Sequence, residues 1–234
     1  MRRLVIIPAY NEEESIVSVI DDLQKNAPEF DYIIINDGST DNTFDICVKN
    51  GYHCINLPVN LGIGGAVQTG YMYGARNGYD YAVQFDGDGQ HSAAFLDQMV
   101  KTLQELDADM VIGSRFIENE GFQSSKMRRV GITFLSGLIR AVTGRRITDP
   151  TSGMRMVNRT VMEMYADHYP KDYPEPESLV QIIAAGKKVC EMPVLMNERQ
   201  GGVSSISPRK SVYYMVKVSM AIIFAGIRIR RGHS

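Results

Sequence analysis

Two carboxylates one residue apart, Asp86 and Asp88, follow the apolar run Tyr81-Ala82-Val83, with Gly87 between them and Gly89 after. A strand that ends in such a loop leaves both acids together at a surface. Like charges that close repel unless something neutralises them, and a hard divalent cation with oxygen ligands does so. Magnesium or manganese keeps part of its water shell and completes it with phosphate oxygens, so the pair implies a diphosphate ligand. The alternative is an acidic Asx-type turn, because Asp and Gly are common turn residues. These residues alone leave both open.

The acids need elements to hold them. Residues 4–7, all apolar, read as a buried parallel strand, and Pro8-Ala9-Tyr10-Asn11 as the loop that stops it. Glu12-Glu13-Glu14 then opens a helix with Ile16, Val19, Ile20 and Leu23 on one face. Tyr32-Ile33-Ile34-Ile35 is a second strand, and Asn36-Asp37-Gly38-Ser39-Thr40-Asp41 a turn with capping residues before another helix. The glycine-rich stretch 56–66 leads into a helix through Val67, Tyr71 and Ala75. Lacking both the Lys-Ser/Thr of a P-loop and a full GxGxxG, it reads as a close-packing loop near the ligand. This alternation predicts a doubly wound α/β sheet with ligands at the carboxyl ends of its strands. Pro8 to Tyr10, Asp37 and the Asp86–Asp88 pair should therefore meet in one crevice.

Further on, 93–106 reads as a helix and Met110-Val111-Ile112 as a strand that exits through Gly113-Ser114-Arg115-Phe116. A polar loop, 118–125, precedes Lys126-Met127-Arg128-Arg129 and an amphipathic stretch, 132–142. Cations at a helix start oppose the helix dipole, which suggests an anionic partner or else a solvated helix end. Asp149-Pro150-Thr151-Ser152-Gly153-Met154 is a turn before a short strand. Tyr173-Pro174-Glu175-Pro176-Glu177 precedes a helix over 178–185, stopped by Gly186. The segment 211–227 is almost wholly apolar, broken mainly by Lys217 and Ser219, and is followed by Arg228, Arg230 and Arg231. It predicts a helix lying in a membrane surface with anionic-lipid contacts, or a terminal helix that closes the core or makes a dimer.

A chain of 234 residues suits one sizeable domain, divided here into a catalytic part, 1–208, and an apolar, basic terminal helix, 209–234. With 25 Lys and Arg against 27 Asp and Glu, nothing in the overall charge points to nucleic acid. Cys47, Cys54 and Cys190 fit neither an even disulfide set nor a CxxC metal pattern, which suits reduced thiols in the cytosol. The first apolar run is too short for a signal peptide.

Taken in order, six motifs resemble the inverting family 2 glycosyltransferases of the GT-A fold, particularly the dolichyl-phosphate mannosyltransferase-like branch. They are Val5-Ile6-Ile7-Pro8-Ala9-Tyr10-Asn11-Glu12, Asn36-Asp37-Gly38-Ser39-Thr40-Asp41, Asp86-Gly87-Asp88-Gly89-Gln90-His91, Gly113-Ser114-Arg115-Phe116, Asp149-Pro150-Thr151-Ser152-Gly153 and Arg199-Gln200-Gly201-Gly202-Val203-Ser204. The resemblance covers nearly the whole chain and implies a mostly parallel, Rossmann-like central sheet flanked by helices. By it, Pro8, Tyr10, Glu12, Ile35 and Asp37 hold the nucleoside of a UDP- or GDP-hexose, with Glu12 at the ribose and Asp37 at the base. Asp86, Asp88 and Gln90 match the positions for the diphosphate and for Mg2+ or Mn2+. Arg115, an arginine of the Arg128-Arg129 pair, and Arg199 match contacts to the phosphate of a polyprenyl acceptor, with Ser204 in the last of these motifs. Forked guanidinium groups suit that phosphate. One departure is Ile132, where the family often has serine.

What this implies is a metal-dependent transfer of a hexose to undecaprenyl or another polyprenyl phosphate for cell-envelope glycan synthesis. The enzyme would sit peripherally on the inner face of the cell membrane, with a small membrane-protein partner or a homo-oligomer completing it. Asp88 and Arg115 would stabilise charge on the reacting phosphates. A phosphate acceptor is already ionised and needs no strong base, whereas a sugar hydroxyl would need one, for which Glu175 is placed. Glu175 as base and Glu175 as a helix-start acid stay open together. A sugar-1-phosphate nucleotidyltransferase would show a Gly- and Arg-rich loop in place of 8–12. A non-catalytic nucleotide-sugar-binding module would not need Asp86, Asp88 and Gln90.

Overall fold

The computed structural model describes residues 1–118, 126–172, 174–197 and 215–224, the side chains of 126–128 excepted. The apolar runs form strands β1 (Arg3–Ala9), β2 (Asp31–Asn36), β3 (Cys54–Asn56), β4 (Tyr81–Gln84), β5 (Met110–Ser114), β6 (Arg155–Asn158) and β7 (Val189–Pro193). They make one seven-stranded sheet in the order β3-β2-β1-β4-β6-β5-β7. The pairs β1–β2, β1–β4, β2–β3 and β5–β7 are parallel, and β6 runs antiparallel to β4 and β5. All strands but β6 therefore end at the same edge, and β6 begins there. The loop 149–153 that precedes β6 is delivered to that edge for this reason.

Successive side chains of a strand point to opposite faces, so β1 feeds two cores. Leu4 and Ile6 pack with α3 (Gly62–Arg76), α5 (Lys126–Thr143), α6 (Arg159–Asp167) and α7 (Pro174–Ala184) through residues such as Val67, Leu135, Val161 and Leu179. Val5 and Ile7 pack with α1 (Ile16–Asn26), α2 (Thr43–Lys49) and α4 (Leu96–Glu105) through Ile20, Cys47 and Met99. A 3-10 turn at Ala93–Phe95 leads into α4.

Several boundaries differ from expectation. Helix α1 starts at Ile16, and the Glu12 carbonyl accepts the Ser15 and Ile16 amides at 3.1 and 2.9 Å, so the three acids lie in the preceding turn. Helix α3 starts at Gly62 rather than beyond the glycines, with the Gly64 amide donating to the Lys171 carbonyl at 3.1 Å. Helix α7 starts at Pro174, four residues early, because proline in a first turn has no amide that a helix would need there. Glu175 is thus inside the helix. Strands β3 and β7 form where the sequence pattern predicts no element.

In the terminal helical segment 215–224, Val218 and Ile222 are buried in the first core, while Val216, Met220, Ile223 and Phe224 are exposed. No helix among the described residues is long and apolar enough to cross a membrane.

Candidate active site

The loops after β1 and β2 are laced by hydrogen bonds. The Asp37 amide donates to the Ala9 carbonyl at 2.8 Å, the Asn11 amide to Ser39 Oγ at 3.0 Å, and the Thr40 amide to Asn11 Oδ1 at 2.8 Å. The Glu12 amide donates to Thr43 Oγ1 at 2.8 Å. Gly38 is required between them, since its φ is +65° and a Cβ there would lie 2.8 Å from the Asn60 nitrogen. The β4 loop joins through Ser15 Oγ, 2.7 Å from the Gly87 carbonyl and 2.9 Å from Glu12 Oε2. The three loops read from the sequence do converge.

Within this crevice Tyr10 is exposed, Glu12 half-buried, and Pro8 and Ile35 buried. Ile35 lies wholly in the core, so its side chain supports the crevice from beneath rather than facing it. The Asp37 carboxylate accepts the Leu61 amide at 2.7 Å at the start of α3. Burial raises its carboxyl above the ordinary value, opposed by the amides of Leu61 and Gly62. Asp41, not Asp37, serves the next helix, accepting the Thr43 amide at 3.0 Å.

The acid pair splits between two environments. Asp86 is half-buried, and Gln84 Nε2 donates to its Oδ1 at 3.3 Å. Its amide donates to His91 Nδ1 at 3.0 Å, and His91 Nε2 lies 3.6 Å from its Oδ2. Asp88 is buried and accepts the Gln90 amide at 3.0 Å, so the Asx turn of the alternative reading is present. The Gln90 carbonyl accepts the Asn197 amide at 2.9 Å. Gly153 packs on Asp86 so tightly that a Cβ would lie 2.8 and 3.0 Å from its two carboxylate oxygens. Among the described residues no three His, Cys, Asp or Glu side chains gather as a metal cage. The oxygen donors of Asp86, Asp88 and Gln90 suit a hard cation that takes the rest of its shell from phosphate and water.

Glu175 also reaches this place. Its carboxyl is raised above the ordinary value by burial, with the Asp86 charge adding, and Arg155 and a hydrogen bond from Gln84 opposing. Two residues outside the six motifs, Gln84 and Arg155, arrange it. Gln84 lies between Asp86 and Glu175, with the Tyr169 hydroxyl donating to its Oε1 at 3.5 Å. Arg155, wholly buried, donates to the carbonyls of Ser152 at 2.8 Å, Pro150 at 2.6 Å and Glu175. An arginine inside the apolar run Met154-Arg155-Met156-Val157 was the available signal, because a buried cation needs several acceptors.

Arg115 leaves β5 almost fully buried and is gripped at both ends of a fork by Asp149, Nε to Oδ2 at 2.6 Å and Nη2 to Oδ1 at 2.7 Å. Its Nη2 also donates to Thr151 Oγ1 at 3.0 Å. The guanidinium groups of Arg115 and Arg129 both lie over the Phe116 ring, at 5.3 and 5.9 Å. Two of the expected arginines are thus brought together. The Arg128 side chain, Arg199 and Ser204 lie outside the described residues. Ile132, at the position of the missing serine, is buried.

Comparison with known proteins agrees with this geometry. Residues 4–165 match the model of glycosyl transferase family 2. The undecaprenyl-phosphate mannosyltransferase of Micrococcus luteus is 30% identical over 244 residues, covering 99% of this chain and 100% of that protein. The polyprenol monophosphomannose synthase of Mycolicibacterium smegmatis is 29% identical over 228 residues, covering 93% and 86%. Among solved structures, glucosyl-3-phosphoglycerate synthase from Mycobacterium tuberculosis with Mn2+, UDP and phosphoglyceric acid superposes with a TM-score of 0.69 at 19% identity, covering 97% of this chain and 78% of that one. That likeness establishes a shared GT-A-type α/β fold. The chain belongs to glycosyl transferase family 2 and is a glycosyltransferase.

Proposed function

We propose that this glycosyltransferase moves a hexose from UDP- or GDP-hexose to a polyprenyl phosphate such as undecaprenyl phosphate, with inversion, for cell-envelope glycan assembly. The observation that carries the reading is that one loop, 149–153, packs on the Asp86 carboxylate through Gly153 and grips Arg115 through Asp149 and Thr151, with Arg115 and Arg129 sharing the Phe116 ring. Relatives whose names specify undecaprenyl phosphate and polyprenol acceptors support it.

Pro8, Tyr10, Glu12 and Asp37 line the place for the nucleoside, with Ile35 behind them. Asp86, Asp88 and Gln90 would hold Mg2+ or Mn2+, which when bound supplies positive charge against a departing diphosphate. Arg115 and Arg129 face the acceptor phosphate, for which the resemblance also implies Arg128, Arg199 and Ser204. An oxygen of that phosphate attacks the anomeric carbon, the bond to the nucleoside diphosphate breaks, and the sugar inverts. No proton has to be removed from the acceptor. The exposed apolar stripe of the terminal helix rests on the inner face of the membrane, with a homo-oligomer or small membrane protein as a further partner.

A second reading is favoured by one observation: burial raises the Glu175 carboxyl, the direction a general base for a sugar hydroxyl requires. Incubating the protein with UDP- and GDP-hexoses, with or without undecaprenyl phosphate and added Mg2+ or Mn2+, separates the two. The proposal expects nucleoside diphosphate release that needs both lipid and metal, and an Asp88→Asn variant slowed by about 10²–10³-fold. Release that ignores the lipid phosphate but responds to a sugar acceptor overturns it.

A further inference from the structure

Glu191, on the edge strand β7, is a half-buried carboxylate with an unusual set of donors around it. Its two oxygens lie 2.9 and 2.8 Å from the Thr148 amide, and Oε1 also accepts the Asp149 amide at 2.9 Å and the Thr148 hydroxyl at 3.0 Å. Because Thr148 spends its hydroxyl proton on Glu191, Ser114 Oγ, 2.7 Å away, donates to Thr148. Ser114 Oγ in turn accepts the Phe116 amide at 3.3 Å. One carboxylate therefore fixes both the exit of β5 and the two residues that open the loop before β6.

The second of those residues is Asp149, whose forked grip sets the plane of the Arg115 guanidinium. A carboxylate is the group this position demands. Two backbone amides and a hydroxyl converge on Oε1, which shares the Thr148 amide with Oε2, so acceptors at both oxygens suit this set of donors. Glutamine has the same shape but would turn an NH2 group toward an amide or hydroxyl donor, or leave one unpaired.

We propose that Glu191 is a positioning residue for acceptor binding, acting through Thr148 and Asp149 to hold Arg115 in the orientation that meets the acceptor phosphate. This rests on the reading of Arg115 as an acceptor contact. Glu191 itself touches neither substrate.

Calorimetric titration of the full chain with farnesyl phosphate, and separately with UDP and GDP, tests it. Glu191→Gln should weaken farnesyl phosphate about tenfold and leave the nucleotides within about twofold. A merely structural role would weaken both. Thr148→Val, which deletes only the hydroxyl link, should give about a threefold loss in the same direction, and it decides the matter if Glu191→Gln does not fold. In an Arg115→Ala background, adding Glu191→Gln or Thr148→Val should change the affinity less than about twofold, since both act through the deleted group. Full additivity there overturns the proposal, as does equal loss of nucleotide. If Arg115→Ala weakens farnesyl phosphate while both loop variants leave it unchanged, the inference alone fails. If Arg115→Ala has no effect, the reading of Arg115 fails and takes the inference with it.

Discussion

Burial, the Asp86 carboxylate and the Arg155 guanidinium all act on one proton at Glu175. The net effect raises the carboxyl in the folded chain above its unfolded value, so between those two values the folded state binds the proton more tightly. Stability then falls as pH rises through that window, and above it the ionised side chain is a cost. Glu175→Gln removes that cost. Its Tm should exceed that of the parent at pH 7 to 8, by about 2–4 °C for each kcal/mol recovered, and the gap should close as pH falls below the ordinary carboxylate range. Scanning calorimetry across pH checks this. With undecaprenyl phosphate as acceptor the same variant should lose less than about tenfold in turnover. A loss of about 10²–10⁴-fold measured with a sugar acceptor would mark Glu175 as the base of a hydroxyl acceptor instead.

Helix α3 shows how a residue read from a motif can serve an element as well. The resemblance assigns Asp37 to the base of a nucleotide, whereas the fold has its carboxylate also accepting the amide of Leu61, the residue that leads into α3. The two roles separate by substitution. Asp37→Ala deletes the cap and should cost about 1 kcal/mol of stability, visible as a drop in the urea midpoint. Asp37→Asn keeps an oxygen for Leu61 and should hold that midpoint, yet it alters the donor and acceptor pattern offered to a base and should weaken UDP or GDP. The elements that could be read in advance were those with strong local signals: β1, β2, β4 and β5 as apolar runs ended by polar loops, and α1 and α4 as amphipathic periods. The same runs fixed which loops converge, because parallel strands share their carboxyl ends. Strands β3 and β7 have little local signal, being edge strands with several half-buried residues, and are made by pairing with β2 and β5. The apolar run around Arg155 signals its burial, but not its partners, and Glu191 carries no signal at all. The partners of both are mostly backbone groups brought near by β6 running antiparallel and by β7 pairing with β5, which no spacing in the sequence encodes.

For the molecule as a whole, the terminal helix presents an exposed stripe, Val216, Met220, Ile223 and Phe224, opposite the side anchored by Val218 and Ile222. These exposed positions recur at intervals of four and three, so they share one face of the helix. Under the proposed function this apolar face is the part that rests on a membrane surface. Met220 is 50% and Phe224 64% exposed, which lets them be changed without opening the core. The pair Met220→Glu with Phe224→Glu should leave Tm within about 2 °C, as surface changes do, and lower flotation with phosphatidylglycerol vesicles about tenfold or more. Ile222→Ala, on the opposite side, should instead destabilise the fold by about 2–5 kcal/mol. If the double variant keeps its vesicle binding and instead converts an oligomer to a monomer in sedimentation equilibrium, the stripe is a contact between copies of the chain. The membrane-surface reading of this helix would then fail.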